Sequence, residues 1–199
     1  KQLKEKKDEL AYINPELAEK ERLAGNELFK KNDFPGAVQK YKEAVKRDPK
    51  NHVHYSNLGS AYMKLAEYMY ALKNFEKAID LDPKYIKGWA RKAQCHFFMK
   101  EYHKALDAYD KGLEIEPSNA ELLEGKTKVQ MAIYTSGHDE QRVQQAMKDP
   151  EIAQILADPM MQNILNDMKD PRLQAKHMAN PQIAAKIKKL IAAGVLQTR

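Results

Sequence analysis

Five polar side chains carry the most recognisable chemistry of this 199-residue chain: Arg22, Asn26, Asn57, Lys87 and Arg91. Arg22 and Asn26 stand four residues apart, as do Lys87 and Arg91, a spacing that puts each pair on one face of a helix. Converging on one groove, the five would offer three cations and two amides. That set suits a peptide C-terminus ending in an acidic residue. Main-chain and side-chain carboxylates lie close together there and need cationic donors, while amides can hold the adjoining backbone. Catalytic chemistry finds much less. Cys95 beside His96, with His103 nearby, is the only nucleophile-and-base candidate, but neighbours along a helix point about 100° apart and make a poor pair. His52 and His54 again have the wrong spacing for one helical face. The sequence has no Gly-rich phosphate loop and no metal-ligand cluster. It therefore predicts a binding protein that is not an enzyme, with no metal and no cofactor, and Cys95 reads as a small core residue.

The elements that must position the five residues are written as a repeat. Pro49, Pro83 and Pro117 stand 34 residues apart, and at that period Gly25, Gly59 and Ala93 coincide, as do Ala37, Ala71 and Ala105, then Tyr41, Phe75 and Tyr109, then Ala44, Ala78 and Gly112. A 34-residue period of this kind is the signature of a tetratricopeptide (TPR) array, each repeat being two helices joined by a tight turn. The small residues let paired helices approach closely, the aromatic column fills the space between pairs, and each proline ends a helical pattern. Repeats fall at 18–51, 52–85 and 86–119, with turns at Asn32-Asp33, Ala66-Glu67 and Lys100-Glu101. First helices line the concave surface of such an array. Arg22 and Asn26 belong to the first of them, Asn57 to the second, and Lys87 and Arg91 to the third. Columns there do not repeat: one reads Leu23, Asn57, Arg91 and another Glu19, Val53, Lys87. One asymmetric ligand read by all three repeats would leave that signature.

A stacked array leaves its last apolar face open, so a further helix must cover it. Residues 120–135 fit, with Leu122, Leu123, Val129, Met131 and Ile133 available for burial. Ser136-Gly137-His138 then breaks the pattern and marks a boundary. The expected division is 1–14 as the end of a preceding linker helix, 15–135 as the TPR domain, and 139–199 as a second domain. In that last part Asp149-Pro150, Asp158-Pro159, Asp170-Pro171 and Asn180-Pro181 each set an N-capping side chain before a proline suited to the first helical position. Five short helices are expected, the last stopping at Gly194. Methionines are frequent there, and Met160, Met161, Ile164, Leu165 and Met168 form a candidate apolar groove, since methionine suits surfaces that accept varied partners.

Charge and composition narrow the setting. From Pro171 onward come Arg172, Lys176, Lys186, Lys188, Lys189 and Arg199 with no acid, while the 28 other basic residues balance the 28 acidic ones. These six read as a solvated face, and the absence of accompanying aromatics disfavours nucleic acid as a partner. No apolar run approaches membrane-spanning length. The first residues, Lys1 to Lys7, have neither an initiating Met nor an apolar core, so they read as part of something longer and not as a signal peptide. A single cysteine and the lack of any Asn-x-Ser/Thr acceptor favour a reducing, cytoplasmic setting.

The segments Arg22-Leu23-Ala24-Gly25-Asn26, Tyr55-Ser56-Asn57 and Lys87-Gly88-Trp89-Ala90-Arg91 resemble the dicarboxylate clamp of co-chaperone TPR domains. With the lead-in Leu10-Ala11-Tyr12-Ile13-Asn14-Pro15 and the Asp-Pro helices, nearly the whole chain is similar to the C-terminal part of the Hsp70/Hsp90-organising protein family. The resemblance implies an all-α fold in which a three-repeat TPR superhelix with a capping helix precedes a five-helix Asp-Pro (DP) domain. It also implies a clamp of Arg22, Asn26, Asn57, Lys87 and Arg91 for the Glu-Glu-Val-Asp tail of Hsp70, with Hsp90 bound elsewhere or more weakly. Client proteins would engage the DP domain. Where the family's clamp usually carries Lys, this chain has Arg22, whose planar fork differs in reach and geometry. A tail site mainly for Hsp90 and a general protein-interaction scaffold are the competing readings.

Overall fold

The computed structural model describes residues 12–135, 139–168 and 170–196. The expected linker helix and the break at 136–138 fall largely or wholly outside them. Among the described residues the chain forms twelve helices and no strand. The first seven are α1 (Pro15–Lys30), α2 (Phe34–Arg47), α3 (His52–Lys64), α4 (Tyr68–Leu81), α5 (Ile86–Phe98), α6 (Tyr102–Ile115) and α7 (Ala120–Thr135). They stack as three antiparallel pairs covered by α7, as the register requires.

Repeating columns account for the stacking. A Cβ built on Gly25 would stand 2.6 Å from the Tyr41 ring, and one on Gly59 would stand 2.8 Å from Phe75. Each aromatic thus lies flat against the small residue of its own repeat. On its other side it packs the next pair: Tyr41 against Leu58 and Ala61 of α3, Phe75 against Cys95 of α5. Tyr109 meets Leu122 and Val129 of the covering helix instead, and crowds Gly125 there. Leu122 and Val129 are buried as expected, whereas Leu123 and Met131 face solvent, because α7 has one covered face and no fourth repeat behind it.

The three turns share one geometry. Asn32, Ala66 and Lys100, 34 residues apart, have φ of 62°, 58° and 59°. At each, the amide of the positive-φ residue bonds a carbonyl three residues back and the next amide bonds one five back, a Schellman closure of the preceding helix. Asparagine tolerates this conformation, but alanine does not favour it. Ala66→Gly is therefore expected to stabilise the array by about 0.5–1 kcal/mol, read as a higher thermal midpoint. An unchanged or lower midpoint would show that the turn is not strained.

The remaining helices are α8 (Glu140–Ala146), α9 (Pro150–Ala157), α10 (Pro159–Asp167), α11 (Pro171–Met178) and α12 (Pro181–Ala192). Asp149, Asp158, Asp170 and Asn180 each accept a backbone N–H of the first turn, at 2.8–3.0 Å, so the Asp-Pro starts work as the sequence implies. Gly194, at φ 80°, closes α12 with bonds from its own amide to Ile191 O and from Val195 N to Leu190 O. Ile152, Met161, Ile187 and Leu190 form the centre of this small core. These helices lie against α6. Lys104 Nζ is 2.8 Å from Asp149, His103 Nε2 is 3.3 Å from the same carboxylate, and Lys189 bridges Asp107 and Glu151 at 2.8 and 2.6 Å. The Arg142 guanidinium covers the Tyr102 ring and fills the space a side chain at Gly194 would need.

Candidate peptide-binding site

A groove of about 500 Å³ opens along the first helices of the three repeats. Asn26 and Phe29 come from α1; Asn57, Ser60, Met63 and Lys64 from α3; Lys87, Arg91, Gln94 and Phe98 from α5. Tyr41 and Tyr68 reach in from α2 and α4. Four of the five residues singled out in the sequence thus meet in one place. The fifth, Arg22, is not in the lining.

Local bonds hold Asn26 and Arg91 in place. Burial pushes the Tyr41 hydroxyl pKa up, so it stays protonated, and it donates to Asn26 Oδ1 at 2.8 Å. The aromatic column therefore does more than fill space: it fixes the amide so that its N–H donors are left for a ligand. Arg91, half-buried, donates through Nη1 to Gln94 Oε1 at 2.7 Å, which holds the guanidinium against α5. Lys87 and Lys64 are exposed and have no ion-pair partner among the described residues. The lining contains three cations and no carboxylate. Unpaired positive charge concentrated in a concave site attracts an anionic ligand and favours one with two closely spaced negative groups. Arg22 is engaged by Glu19: its Nε donates to Glu19 Oε2 at 2.8 Å, and its Nη2 contacts the other oxygen of that carboxylate.

The sequence reading missed Lys64, Ser60 and Gln94. Their signal was present in the register. Asn26, Ser60 and Gln94 occupy one column, 34 residues apart, and Lys64 follows Asn57 by seven on the same helical face. The apolar end of the groove, where Tyr68 and Phe98 stack with ring centroids 5.2 Å apart, had no such marker.

Elsewhere the candidate residues separate. Cys95 is fully buried and its thiol is pushed up to about 12 by that burial. His96 faces Glu101 at 2.7 Å and His103 faces Asp149, so neither histidine serves the cysteine. The apolar group of the last helices splits as well. Met161 and Ile164 belong to the core, Leu165 and Met168 are half-buried against it, and Met160 is 53% exposed. Lys186 and Lys189 are not simply solvated, since Lys186 pairs with Asp158 and Lys189 with Asp107 and Glu151. Among the described residues no group of His, Cys, Asp and Glu could hold a metal ion, and no helix is long and apolar enough to cross a membrane.

Comparison with known proteins agrees with this architecture. The family profile "STI1/HOP, DP domain" matches residues 139–192, and tetratricopeptide repeat profiles match 25–65, 53–85 and 86–119. Heat shock protein STI1 of Saccharomyces cerevisiae is 47% identical across the whole of this chain, and Stress-induced-phosphoprotein 1 of Caenorhabditis elegans is 45% identical across 96% of it. The TPR2B domain of yeast Sti1, in its pHsp70 complex, superposes with a TM-score of 0.53 at 35% identity, covering 94% of that chain and 56% of this one. The chain belongs to the STI1/HOP family. It spans 35% of the yeast STI1 relative and 60% of the worm one. The TPR2AB region of yeast Sti1 in its pHSP90 complex is also similar, with a TM-score of 0.61 at 36% identity, covering 52% of that chain and 64% of this one. Both yeast Sti1 neighbours are TPR regions solved as complexes, TPR2AB with pHSP90 and TPR2B with pHsp70.

Proposed function

We propose that residues 15–135 form a TPR domain that binds the acidic C-terminal tail of Hsp70 through Asn26, Asn57, Lys87 and Arg91, joined by Lys64 and by Arg22 once the ligand is present. The observation that carries this reading is the meeting of Lys64, Lys87 and Arg91 with the amides of Asn26 and Asn57 in a groove whose lining contains no carboxylate. A tail ending in aspartate presents a main-chain and a side-chain carboxylate to the cations, while its upstream residues reach the apolar end at Phe29, Met63, Tyr68 and Phe98. Residues 139–199 act as the DP domain and contribute to client transfer or activation. The protein would work in a reducing compartment such as the cytoplasm, as a non-enzymatic adaptor.

The likeness to TPR2B of yeast Sti1 in its pHsp70 complex supports the Hsp70 reading. The Hsp90 reading has its own support in the likeness to the TPR2AB complex. A competition between the two chaperones' tail peptides for the full chain separates them, and a preference for the Hsp90 tail would reverse the assignment. Amidating the terminal carboxylate of the preferred peptide should weaken binding about 10-fold or more, because charge-assisted bonds contribute about 1.5–3 kcal/mol each. Affinity should also fall as salt is raised from low ionic strength. Equal binding of acid and amide would exclude a carboxylate clamp.

A further inference from the structure

We infer that Glu19 is a built-in competitor for the ligand of the groove, holding Arg22 in an internal ion pair that a carboxylate-ended peptide must displace before Arg22 can join the clamp. The inference rests on the peptide-binding reading above. Two independent observations carry it. The first is geometric: Glu19 takes Arg22 by the Nε and Nη2 edge of its guanidinium, the two-point arrangement in which arginine also grips a peptide carboxylate. Glu19 lies one turn toward the N-terminus of α1, whereas Asn26 lies one turn the other way, so the pair draws the guanidinium toward Glu19 and away from Asn26. The second is in the register. Glu19, Val53 and Lys87 share a column, so the position that gives α5 its groove-facing lysine gives α1 an acid.

Other charges nearby do not take over the role of Glu19. Glu21 is engaged by Lys40 at 2.9 Å, and the buried His54 lies against Asp48. The hydrogen bond from Arg22 holds the Glu19 carboxyl below its ordinary pKa, so it remains charged at neutral pH. The pair is partly exposed, with 23% of the Arg22 side chain and 49% of the Glu19 side chain accessible, which sets a modest scale. Exposed pairs are worth about 0.2–1 kcal/mol, equivalent to about a 1.4- to 5-fold change in affinity.

Calorimetry of the full chain with a peptide ending Glu-Glu-Val-Asp, at low salt, tests this. Glu19→Gln should tighten binding about 2- to 5-fold, while Glu16→Gln, an equal loss of charge on the same helix, should change it much less. In an Arg22→Ala background, the gain from Glu19→Gln should shrink toward that of Glu16→Gln. Unchanged or weaker binding by Glu19→Gln would overturn the inference, the weaker case meaning that Glu19 presents Arg22 to the ligand. A gain that persists undiminished without Arg22 would also overturn it, reducing Glu19 to a repulsive charge. Failure of the clamp itself looks different: Lys87→Ala and Arg91→Ala would then leave affinity unchanged whatever stands at position 19.

Discussion

Arg91→Ala is expected to weaken binding of a Glu-Glu-Val-Asp peptide about 10- to 150-fold while leaving the thermal midpoint of the chain nearly unchanged. The scale follows from the position of the side chain. Arg91 is half-buried in the groove and tied to Gln94 rather than to a carboxylate, so its charge is available to the ligand and is better shielded from water than that of Lys87. A hydrogen bond to a charged partner contributes about 1.5–3 kcal/mol, and truncating one member of a desolvated charge pair lies at or above that range. Lys87→Ala should follow the same direction with a smaller loss, because its ammonium is exposed and more strongly hydrated. Neither side chain belongs to a core cluster, which is why stability should hold. Titration calorimetry alongside thermal denaturation reads both quantities. If both variants bind like the parent, the groove does not use its cations and the proposed clamp is wrong.

The way these residues come together shows what a repeat sequence can reveal. Column positions such as Gly25, Tyr41 and Ala37 were legible because each is constrained three times by the same packing geometry. The left-handed turns were legible in place but not in strain: the register put them at Asn32, Ala66 and Lys100, and only the backbone shows that an alanine and a lysine adopt positive φ there. Groove residues were legible where unlike polar types broke a column, as Asn57 and Arg91 do. Ser60 and Gln94 escaped because their column is uniformly polar and so resembles a solvated face. Arg22 was assigned to the groove by type and spacing, but its conformation is decided by a neighbour three residues away, and sequence spacing does not rank one salt bridge against a ligand not yet present. The four Asp-Pro and Asn-Pro starts predicted four of the last five helices well, since capping is local chemistry. Which of Met160, Met161 and Met168 ends inside depends on how those short helices cross, and that is not a local property.

The contact between the last five helices and α6 was likewise hidden, because its partners are far apart in sequence, and it supports the second large prediction. Asp149→Ala should cost about 2–4 kcal/mol and release α8–α12 from the TPR array. Asp149 is 8% exposed and serves two purposes at once. One carboxylate oxygen caps α9 through Glu151 N, a contribution of about 1 kcal/mol, while the other receives Lys104 and His103 from α6. Removing it leaves the buried His103 without that acceptor and Lys104 with Glu101 alone, and breaking a buried pair by deleting one member is strongly destabilising. Asp149→Asn separates the two roles, since the amide oxygen can still cap α9 but the charge that holds Lys104 is gone. Its expected phenotype is a larger radius of gyration by small-angle scattering with helix content retained. Acid should mimic it. Partial burial would push the Asp149 carboxyl up, but the bonds from Lys104 and His103 hold it well below the usual carboxylate range, so its contribution is present above an unfolded pKa of about 3.9 and is lost as pH falls below that. Burial pushes His103 below its ordinary value, partly offset by Asp149, so the unfolded chain binds more protons there and stability also falls as pH drops below about 6.5. Both shifts act in one direction, the His103 loss beginning below about pH 6.5 and the Asp149 loss below about 3.9, so the docked arrangement should loosen progressively as pH falls. An Asp149→Asn chain as compact as the parent at neutral pH would show that Lys189, Lys100 and the Arg142–Tyr102 contact suffice to hold the two parts together.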